Sequence, residues 1–186
     1  MNSLHFRPAR TEDTVELLQM IRELAAQEGD LSQVSTDARI LRDHGFGEKP
    51  RFGALLAEFD GAVVGFITYT WHYAIWRNAM TMDIDDVFVR PGHRGRGVGR
   101  MMMRQARAVA AGHRAVRVRW EAERVNAAAL RFCERLGASM RHKGVFCWPA
   151  ASEAAISSRS SILASRTAGM TATRSPGWTP NNRSTA

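Results

Sequence analysis

Cysteine and long apolar runs are both scarce in this chain. Only two of its 186 residues are cysteines, Cys133 and Cys147, and they provide neither a disulfide framework nor the spacing of metal ligands. No apolar leader segment follows Met1, and no stretch approaches the length of a membrane span. These absences predict a cytoplasmic protein with no membrane segment and no metal site.

Positive charge is abundant, but it is not arranged as nucleic-acid-binding proteins arrange it. The net charge is +8, yet no run of Lys and Arg with interleaved aromatic residues occurs. Residues 1–86 hold 8 Lys/Arg against 14 Asp/Glu, whereas residues 87–149 hold 14 against 3. We therefore expect no nucleic-acid partner, and the basic second part is a candidate for binding the phosphates of a smaller ligand.

A glycine-rich loop between an apolar strand and a helix is the most informative feature of the chain. The run Val87-Phe88-Val89 ends at Pro91-Gly92, and Gly95, Gly97 and Gly99 follow just before a helical pattern begins. Glycine has no Cβ, so its backbone can approach a bulky anion closely. The first turn of a helix adds N–H groups that lack intrahelical acceptors. Strand, loop and helix together predict a pyrophosphate-binding site.

Two common phosphate-binding motifs do not fit this loop. A P-loop needs Lys followed by Ser or Thr after the glycines, and this chain has no such pair there. The dinucleotide fingerprint needs a glycine where Arg100 stands, and it opens a first βαβ unit rather than lying in mid-chain. The remaining pattern, Arg94-Gly95-Arg96-Gly97-Val98-Gly99, resembles the coenzyme A loop of the GNAT superfamily of N-acetyltransferases.

The resemblance extends from about residue 6 to residue 148. Residues 126–138 are similar to the superfamily's second signature, Asn-x-x-Ala-x-x-Phe-Tyr-x-x-x-Gly followed by Ala or Phe. Phe6-Arg7-Pro8-Ala9 and the following Thr11-Glu12-Asp13 resemble its opening strand and helix cap. Residues 44–50, 64–66 and 84–89, together with Trp76, are similar to the branch that acetylates spermidine, spermine and thialysine.

The resemblance implies an α/β fold: a mixed, mostly antiparallel sheet flanked by helices, with a splayed pair of central strands. The chain is long enough for one such core, and we expect the acetyltransferase domain in residues 1–149. Residues 150–186 are mostly Ala, Ser, Thr, Arg, Pro, Gly and Asn, and they cannot bury enough apolar surface to offset their ordering entropy. We predict a low-complexity, disordered C-terminal tail there.

Apolar periodicity and turn residues predict the individual elements. Asp60-Gly61 predicts a hairpin turn, and Gly137 predicts a left-handed helix cap. We expect strands at residues 4–8, 54–59, 63–69, 80–89, 116–120, 138–141 and 145–148, and helices from residue 11, at 38–43, 98–111 and 126–136.

The resemblance also implies acetyl-CoA as co-substrate. In the family, backbone N–H groups near the end of the central strand hold the thioester and the pantetheine arm, and the glycine loop meets the pyrophosphate. Asn126 matches the family residue that hydrogen-bonds the pantetheine arm, although it suits a helix N-cap equally well. The implied cofactor-binding residues are Val87, Phe88, Val89, Arg94, Gly95, Arg96, Gly97, Val98, Gly99, Arg100 and Asn126.

Asp85 and Asp86 are candidates for handling the acceptor amine. In a regular strand they lie on opposite faces, so at most one lines a given pocket. Asp85 stands where the polyamine branch carries Glu, which implies a catalytic base acting through water. Asp86 is then a substrate-binding residue that anchors a cation, while the structural alternative for either acid is a salt bridge within the sheet.

Cys133 departs from the family pattern, which has Tyr as general acid at this position. A thiol can donate a proton, and its ordinary pKa of about 8.5 is close to that of a leaving thiol. Its side chain is shorter than that of Tyr, and a free Cys is often a small buried apolar residue. Cys133 is thus a second catalytic candidate beside Asp85.

The acceptor site differs from that of polyamine enzymes as well. Positive charge at Arg141-His142-Lys143 disfavours a long polycation and favours a compact amine that carries its own carboxylate. Tyr73 and Trp76 are substrate-binding candidates through cation–π contact, or are ordinary apolar cover.

These observations predict direct acetyl transfer from acetyl-CoA to a primary amine of a small molecule, either a diamine or polyamine or a lysine-like amino acid. The enzymatic alternative is acetylation of a protein or peptide. A non-enzymatic alternative is an acetyl-CoA-binding regulatory module that lost catalysis with the Tyr. Family analogy alone implies a homodimer.

Overall fold

The computed structural model describes residues 3–141 and residue 144. A five-stranded sheet has the strands in chain order; the first three neighbouring pairs are antiparallel, and β4 and β5 are parallel. This confirms the predicted mixed, mostly antiparallel sheet. The strands are β1 (Leu4–Pro8), β2 (Gly53–Phe59), β3 (Ala62–Ala74), β4 (Ala79–Val89) and β5 (Arg117–Arg119), and the helices are α1 (Thr14–Glu28), α2 (Ala38–Gly45), α3 (Val98–Gly112) and α4 (Ala127–Arg135).

Helices cover both faces of the sheet, and each face has its own apolar core. On one face, the buried side chains of α3 meet those of β2, β3 and β4, and Phe132 and Leu136 at the α4 end pack against the same cluster. On the other face, Leu17 and Met20 of α1 pack with Phe66 and Phe88. The two faces of β4 therefore have different neighbours. The face on which a β4 side chain lies determines which of the two cores it packs against.

The observed elements differ from the sequence predictions mainly in three places. The strand predicted at 63–69 continues to Ala74 as β3. Residues 11–13 form a 3₁₀ turn, and the α-helix begins at Thr14, because the Asp13 carboxylate accepts a hydrogen bond from the Arg10 N–H and closes a tight turn first. Residues 138–141 form no strand, since Ala138 donates its N–H back to the Cys133 carbonyl and so completes the end of α4. Gly137 has the expected left-handed conformation, with φ +76°.

Of the two units into which the chain divides, Met1–Ser139 holds nearly all of the described residues. The predicted strand at 145–148 and the predicted tail at 150–186 lie outside the described residues. Within the described part, no helix is long and apolar enough to cross a bilayer.

The central strands separate as the resemblance implied. The β4–β5 ladder covers only three residue pairs, from Thr81 opposite Arg117 to Asp83 opposite Arg119. Beyond Asp83, β4 continues to Val89, and its backbone on the β5 side has no strand partner among the described residues. A gap with free backbone hydrogen-bonding groups along one wall follows from this geometry.

A β-bulge interrupts β4 inside this gap. In the β3–β4 ladder, Thr68 lies opposite Asp86 and Tyr69 lies opposite Ile84, so Asp85 has no residue across from it. An inserted residue of this kind bends a strand and redirects its side chain, and bulges are frequent beside active sites. The prediction that Asp85 and Asp86 lie on opposite faces assumed a regular strand, and that assumption is wrong.

The bulge also reverses the alternation of side chains along β4. Met82 and Ile84 before the bulge, and Val87 and Val89 after it, all pack on the α3 side. A strict period of two cannot place residues 82 and 87 on one face, so an extra residue is required between them. Broken alternation was thus a signal for the bulge in the sequence, and sequence reasoning missed it.

Candidate functional site

A cavity of about 370 Å³ lies where β4 ends, the glycine loop turns and α4 passes. This volume is in the range of sites for small molecules and cofactors. The cavity is lined by Val87, Val89, His93, Arg94, Gly95, Gly97, Val98, Gly99, Arg100, Phe132, Arg135 and Leu136. Eight of the residues predicted from sequence to bind the cofactor are in this set.

The glycine loop has the conformation that an anion cradle requires. Gly95 and Gly97 have φ +74° and +82°, and a Cβ built on either would meet no atom within 4 Å. The space above the loop is therefore open to a ligand. Gly97 is the N-cap of α3, whose first helical hydrogen bond runs from the Met101 N–H to the Gly97 carbonyl. The N–H groups at residues 98–100 precede that bond and remain available to phosphate oxygens.

Arg94 has an internal role in addition to its place in the cavity wall. Its Nε donates a hydrogen bond of 2.6 Å to the Val89 carbonyl, and its Nη2 donates to the side-chain amide of Gln27. The guanidinium also lies over the Phe88 ring, 5.5 Å from the centroid. Arg94 thereby ties the loop to the end of β4 and fixes the direction of the cradle.

Other basic residues face the cavity more freely. Arg100 is exposed and lines the cavity, whereas Arg96 is exposed without lining it. Sequence reasoning missed two further lining residues. His93 directly precedes Arg94 in the chain, whereas Arg135 lies far along the chain on α4, and only the fold brings it to the loop. Together these groups provide positive potential for a polyphosphate.

The side chains of two predicted cofactor-binding residues are engaged within the protein. The Phe88 side chain is buried in the core on the α1 face, which leaves only its backbone for a ligand. Asn126 caps α4, and its Oδ1 accepts a hydrogen bond of 3.0 Å from the Ala129 N–H. Of the two roles open for Asn126 in the sequence, the structure displays the helix cap.

Asp85 is an exposed carboxylate at the bulge, two residues before the first cavity residue of β4. Among the described residues it has no hydrogen-bond or ion-pair partner, in contrast to Asp86, which accepts a 2.7 Å hydrogen bond from the Thr68 hydroxyl. Partial desolvation raises the pKa of Asp85, and repulsion from Asp86 and Asp83 raises it further. An unpaired carboxylate with a raised pKa is suited to accept a proton.

A second cavity, of about 310 Å³, lies on the α1 side of the sheet, and Asp86 lines it. Its other walls come from α1 and from the segment between α1 and α2, including Leu24, Glu28 and Val34. An apolar wall with carboxylates beside it can hold an aliphatic chain that ends in a cation. Asp86 thus lines the second cavity, and the next residue along β4, Val87, lines the first, whereas Asp85 lines neither.

Asp83 forms an ion pair with Arg119 at the last point where β4 and β5 are joined. The Arg119 Nη2 lies 2.5 Å from the Asp83 Oδ2, and the other carboxylate oxygen is buried without a hydrogen-bond partner in the described part. The pair raises the pKa of Arg119. Sequence reasoning had not placed either residue at the site, since no motif marks them.

Cys133 lies beside the cavity without being one of its lining residues. Its Sγ accepts a 3.1 Å hydrogen bond from the indole N–H of Trp120, while its neighbours on α4, Phe132 and Leu136, line the cavity. The sulfur therefore accepts a hydrogen bond from the protein, and no acceptor for its own S–H lies among the described residues.

Tyr73 and Trp76 lie at the far end of the β3–β4 hairpin. The Trp76 side chain is fully exposed, and the Tyr73 hydroxyl donates to the side chain of Asn78 at the hairpin tip. Six residues of strand separate Ala79 from Asp85, which is roughly 20 Å. Within one chain, the structure does not bring these two aromatic residues together with Asp85.

Several acetyltransferases are similar to this chain in sequence. It is 36% identical over 118 residues to the thialysine N-epsilon-acetyltransferase of Mus musculus, covering 59% of this chain and 69% of that protein. It is also 38% identical over 78 residues to the streptothricin acetyltransferase of Streptomyces lavendulae, covering 42% of this chain and 39% of that protein.

Solved structures share the fold at lower identity. An aminoglycoside acetyltransferase from an uncultured soil metagenomic sample superimposes with a TM-score of 0.69 at 17% identity, covering 80% of this chain and 97% of that chain. An integron cassette protein from the mobile metagenome of V. cholerae gives 0.67 at 24% identity, with 79% and 93% covered. These similarities concern the fold alone.

The family signature itself spans the parts just described. Residues 16–138, from α1 through the end of α4, match the Acetyltransferase (GNAT) family. This range contains the bulge, the glycine loop and the gap between β4 and β5. The chain therefore belongs to the GNAT family, and it is an acetyltransferase.

Proposed function

We propose that this enzyme transfers an acetyl group from acetyl-CoA directly to a primary amine of a small molecule, a diamine or polyamine or a lysine-like amino acid. The observation that carries the proposal is the position of Asp85. This carboxylate, which has no partner among the described residues, stands at the bulge next to Asp86 of the second cavity and two residues before Val87 of the first. A donor in the first cavity and a cationic acceptor in the second would therefore meet close to this part of β4.

The glycine loop and the gap between the strands fit acetyl-CoA. The open space above Gly95 and Gly97 and the free N–H groups at 98–100 suit a pyrophosphate, with Arg100 and Arg135 adding positive charge. The unpaired backbone of β4 suits the amide-bearing pantetheine arm. Bound there, acetyl-CoA supplies an activated thioester carbonyl as the acetyl source.

Asp85 is the proposed base. An amine is protonated at neutral pH and must lose a proton before it can attack a carbonyl. Desolvation and the neighbouring acids make the Asp85 carboxylate more basic than an ordinary one, which improves proton transfer, directly or through one water. Asp86, held by Thr68, is the proposed anchor for the ammonium group before this step.

Cys133 is the proposed proton donor to the departing thiolate, with a modest contribution. A thiolate is a stable leaving group near neutral pH, because its conjugate acid has a pKa of about 8.5. We expect Cys133→Ala to lower kcat by about three- to tenfold at pH 7, below the usual range for general acids. Steady-state rates at saturating acetyl-CoA measure this effect.

The Trp120→Phe variant is the control for Cys133, because it removes the indole donor and keeps the thiol. Its KM for acetyl-CoA and that of Cys133→Ala should stay near the wild-type value. A wild-type kcat in Cys133→Ala would exclude the proton-donor role, and faster turnover in Cys133→Tyr would identify the thiol as a weak acid in the place of a better one.

The direct test of the proposed function measures thiol release from acetyl-CoA with a panel of diamines, polyamines, amino acids and peptides. We expect saturable turnover with at least one small primary amine. Turnover of peptides alone would replace the proposal with protein acetylation. Binding of acetyl-CoA without any turnover would favour a regulatory module, and no binding would contradict the assignment of the glycine loop. Sedimentation of the same sample tests the homodimer that family analogy implies.

A further inference from the structure

We infer that Arg119, held by Asp83, binds the carboxylate of the acceptor, and that the enzyme therefore prefers an amino acid with a side-chain amine over the corresponding diamine. The inference rests on the proposed function. It adds a specificity-determining residue to the acceptor site and selects one of the two acceptor classes.

Arg119 lies on the acceptor side of the sheet. Its neighbour Val118 packs against the α3-side core, as do Met82 and Ile84 on the paired strand. Because side chains alternate along a strand, Arg119 and Asp83 point to the opposite face. The second cavity, with Asp86 in its wall, opens on that same face.

The guanidinium of Arg119 is available to a ligand. Only its Nη2 contacts Asp83, and 54% of the side chain is exposed. Arginine has five N–H donors in a planar fork that matches a carboxylate. In the described part of the chain, the remaining donors of Arg119 make no hydrogen bond to the protein, although the nearby charge of Glu121 also raises the pKa of Arg119, after the larger effect of Asp83. Asp83 holds one end of the fork and leaves the rest to bind an anion.

The spacing of Asp83 and Asp85 along β4 is comparable to the length of a lysine-like molecule. Asp83, which touches Arg119, precedes Asp85 by two residues of strand, or roughly 7 Å. In an extended lysine, six bonds separate the side-chain nitrogen from the carboxylate carbon, which also amounts to roughly 7 Å. An amine at Asp85 thus places the carboxylate of the same molecule near Arg119.

Charge explains why a diamine fits less well. A second ammonium group at this distance would lie beside the Arg119 cation, and like charges repel. A carboxylate at the same place gains a charge-assisted hydrogen bond. Arg119 therefore favours binding of the amino acid and disfavours binding of the diamine. An ion pair that only joined β4 to β5 would affect the binding of both acceptors equally.

The experiment compares lysine with 1,5-diaminopentane, which is lysine without its carboxylate. In Arg119→Met, which keeps an unbranched apolar stem and removes the charged guanidinium, we expect KM for lysine to rise at least tenfold. KM for the diamine should stay unchanged or fall. Arg117→Met is the matched control, because Arg117 lies two residues earlier on β5, opposite Thr81 and farther from Asp85. It should leave the ratio of the two kcat/KM values unchanged.

Asp83→Asn provides a second test that does not depend on the stability of the Arg119 variant. The Asn side-chain oxygen can still accept the Arg119 hydrogen bond and keep the guanidinium in place, whereas loss of the Asp83 charge that partly neutralises Arg119 should shift the ratio of kcat/KM toward lysine. A shift toward the diamine, or equal changes for both amines in Arg119→Met, would overturn the inference. Wild-type turnover of the diamine but not of lysine would overturn it while leaving the proposed function in place. Turnover of neither lysine nor any amine in the panel would overturn both.

Discussion

Asp85→Asn is expected to lower kcat/KM for the amine by about 10²- to 10³-fold, the usual loss when a general base is removed. The amide cannot accept the amine proton, yet it has nearly the same size and keeps the bulge. The matched control is Asp85→Glu, which retains a carboxylate at the bulge and should keep much of the activity. Rates with acetyl-CoA and the preferred amine measure both. An Asn variant within threefold of the wild type would remove Asp85 from the mechanism.

The pH dependence of the rate tests the same residue independently. Because the pKa of Asp85 is raised, the acidic limb of the kcat/KM profile should lie above the pH at which an ordinary aspartate titrates. Activity falls there as the pH drops, since protonated Asp85 cannot act as a base. In Asp85→Asn this limb should disappear from the residual rate. An unchanged limb would assign it to another group.

The contribution of Asp85 to stability should change with pH in the opposite direction to activity. Between the ordinary pKa and the raised one, the folded protein holds a proton at Asp85 that the unfolded chain has released. The free energy of unfolding contributed by this group therefore falls as the pH rises through that window, and it stays low above it. Asp85→Asn removes the desolvated charge, so its melting temperature at pH 7 should be slightly higher than that of the wild type.

Gly97→Val is expected to weaken acetyl-CoA binding by about 100-fold, which corresponds to ~2.7 kcal/mol. Gly97 has φ +82°, a conformation that a β-branched residue rarely adopts, and it caps the helix whose N–H groups face the cavity. The Val side chain fills the open space above the loop. The change in φ that relieves its backbone strain turns the N–H groups of the first helical turn away from the cavity. Titration calorimetry with acetyl-CoA measures the change in Kd.

Gly61→Val is the matched control for that variant. Gly61 also has φ +82°, and a Cβ there also meets no atom within 4 Å. It lies in the β2–β3 turn, away from the cavity. Both variants should lose about 1–2 kcal/mol of stability through backbone strain, but only Gly97→Val should lose acetyl-CoA affinity. Equal losses of affinity would indicate that strain, rather than the cradle, explains the effect.

Local patterns predicted much of the fold correctly. Apolar runs placed β1, β2 and β4 to within one residue at each end, whereas β3 continues five residues beyond its predicted end. Asp60-Gly61 marked the hairpin, where both residues have positive φ. Helical spacing and the glycine run identified α3 and the loop before it. Such signals are readable because they depend on neighbours along the chain. The start of α1 was misplaced because two kinds of helical turn compete within three residues.

The sequence by itself determined the family, the glycine-rich loop between β4 and α3 and the presence of acids on the central strand, because each depends on residue types at short spacing. Only the tertiary structure decided which acid has no partner among the described residues. That choice depends on the bulge opposite Thr68 and Tyr69, and hence on the register with another strand. It also brought Arg135 to the loop and Arg119 to Asp83, across 36 residues of chain in the second case. Contacts of this kind arise from packing two layers of helices on one sheet, and no local pattern encodes them.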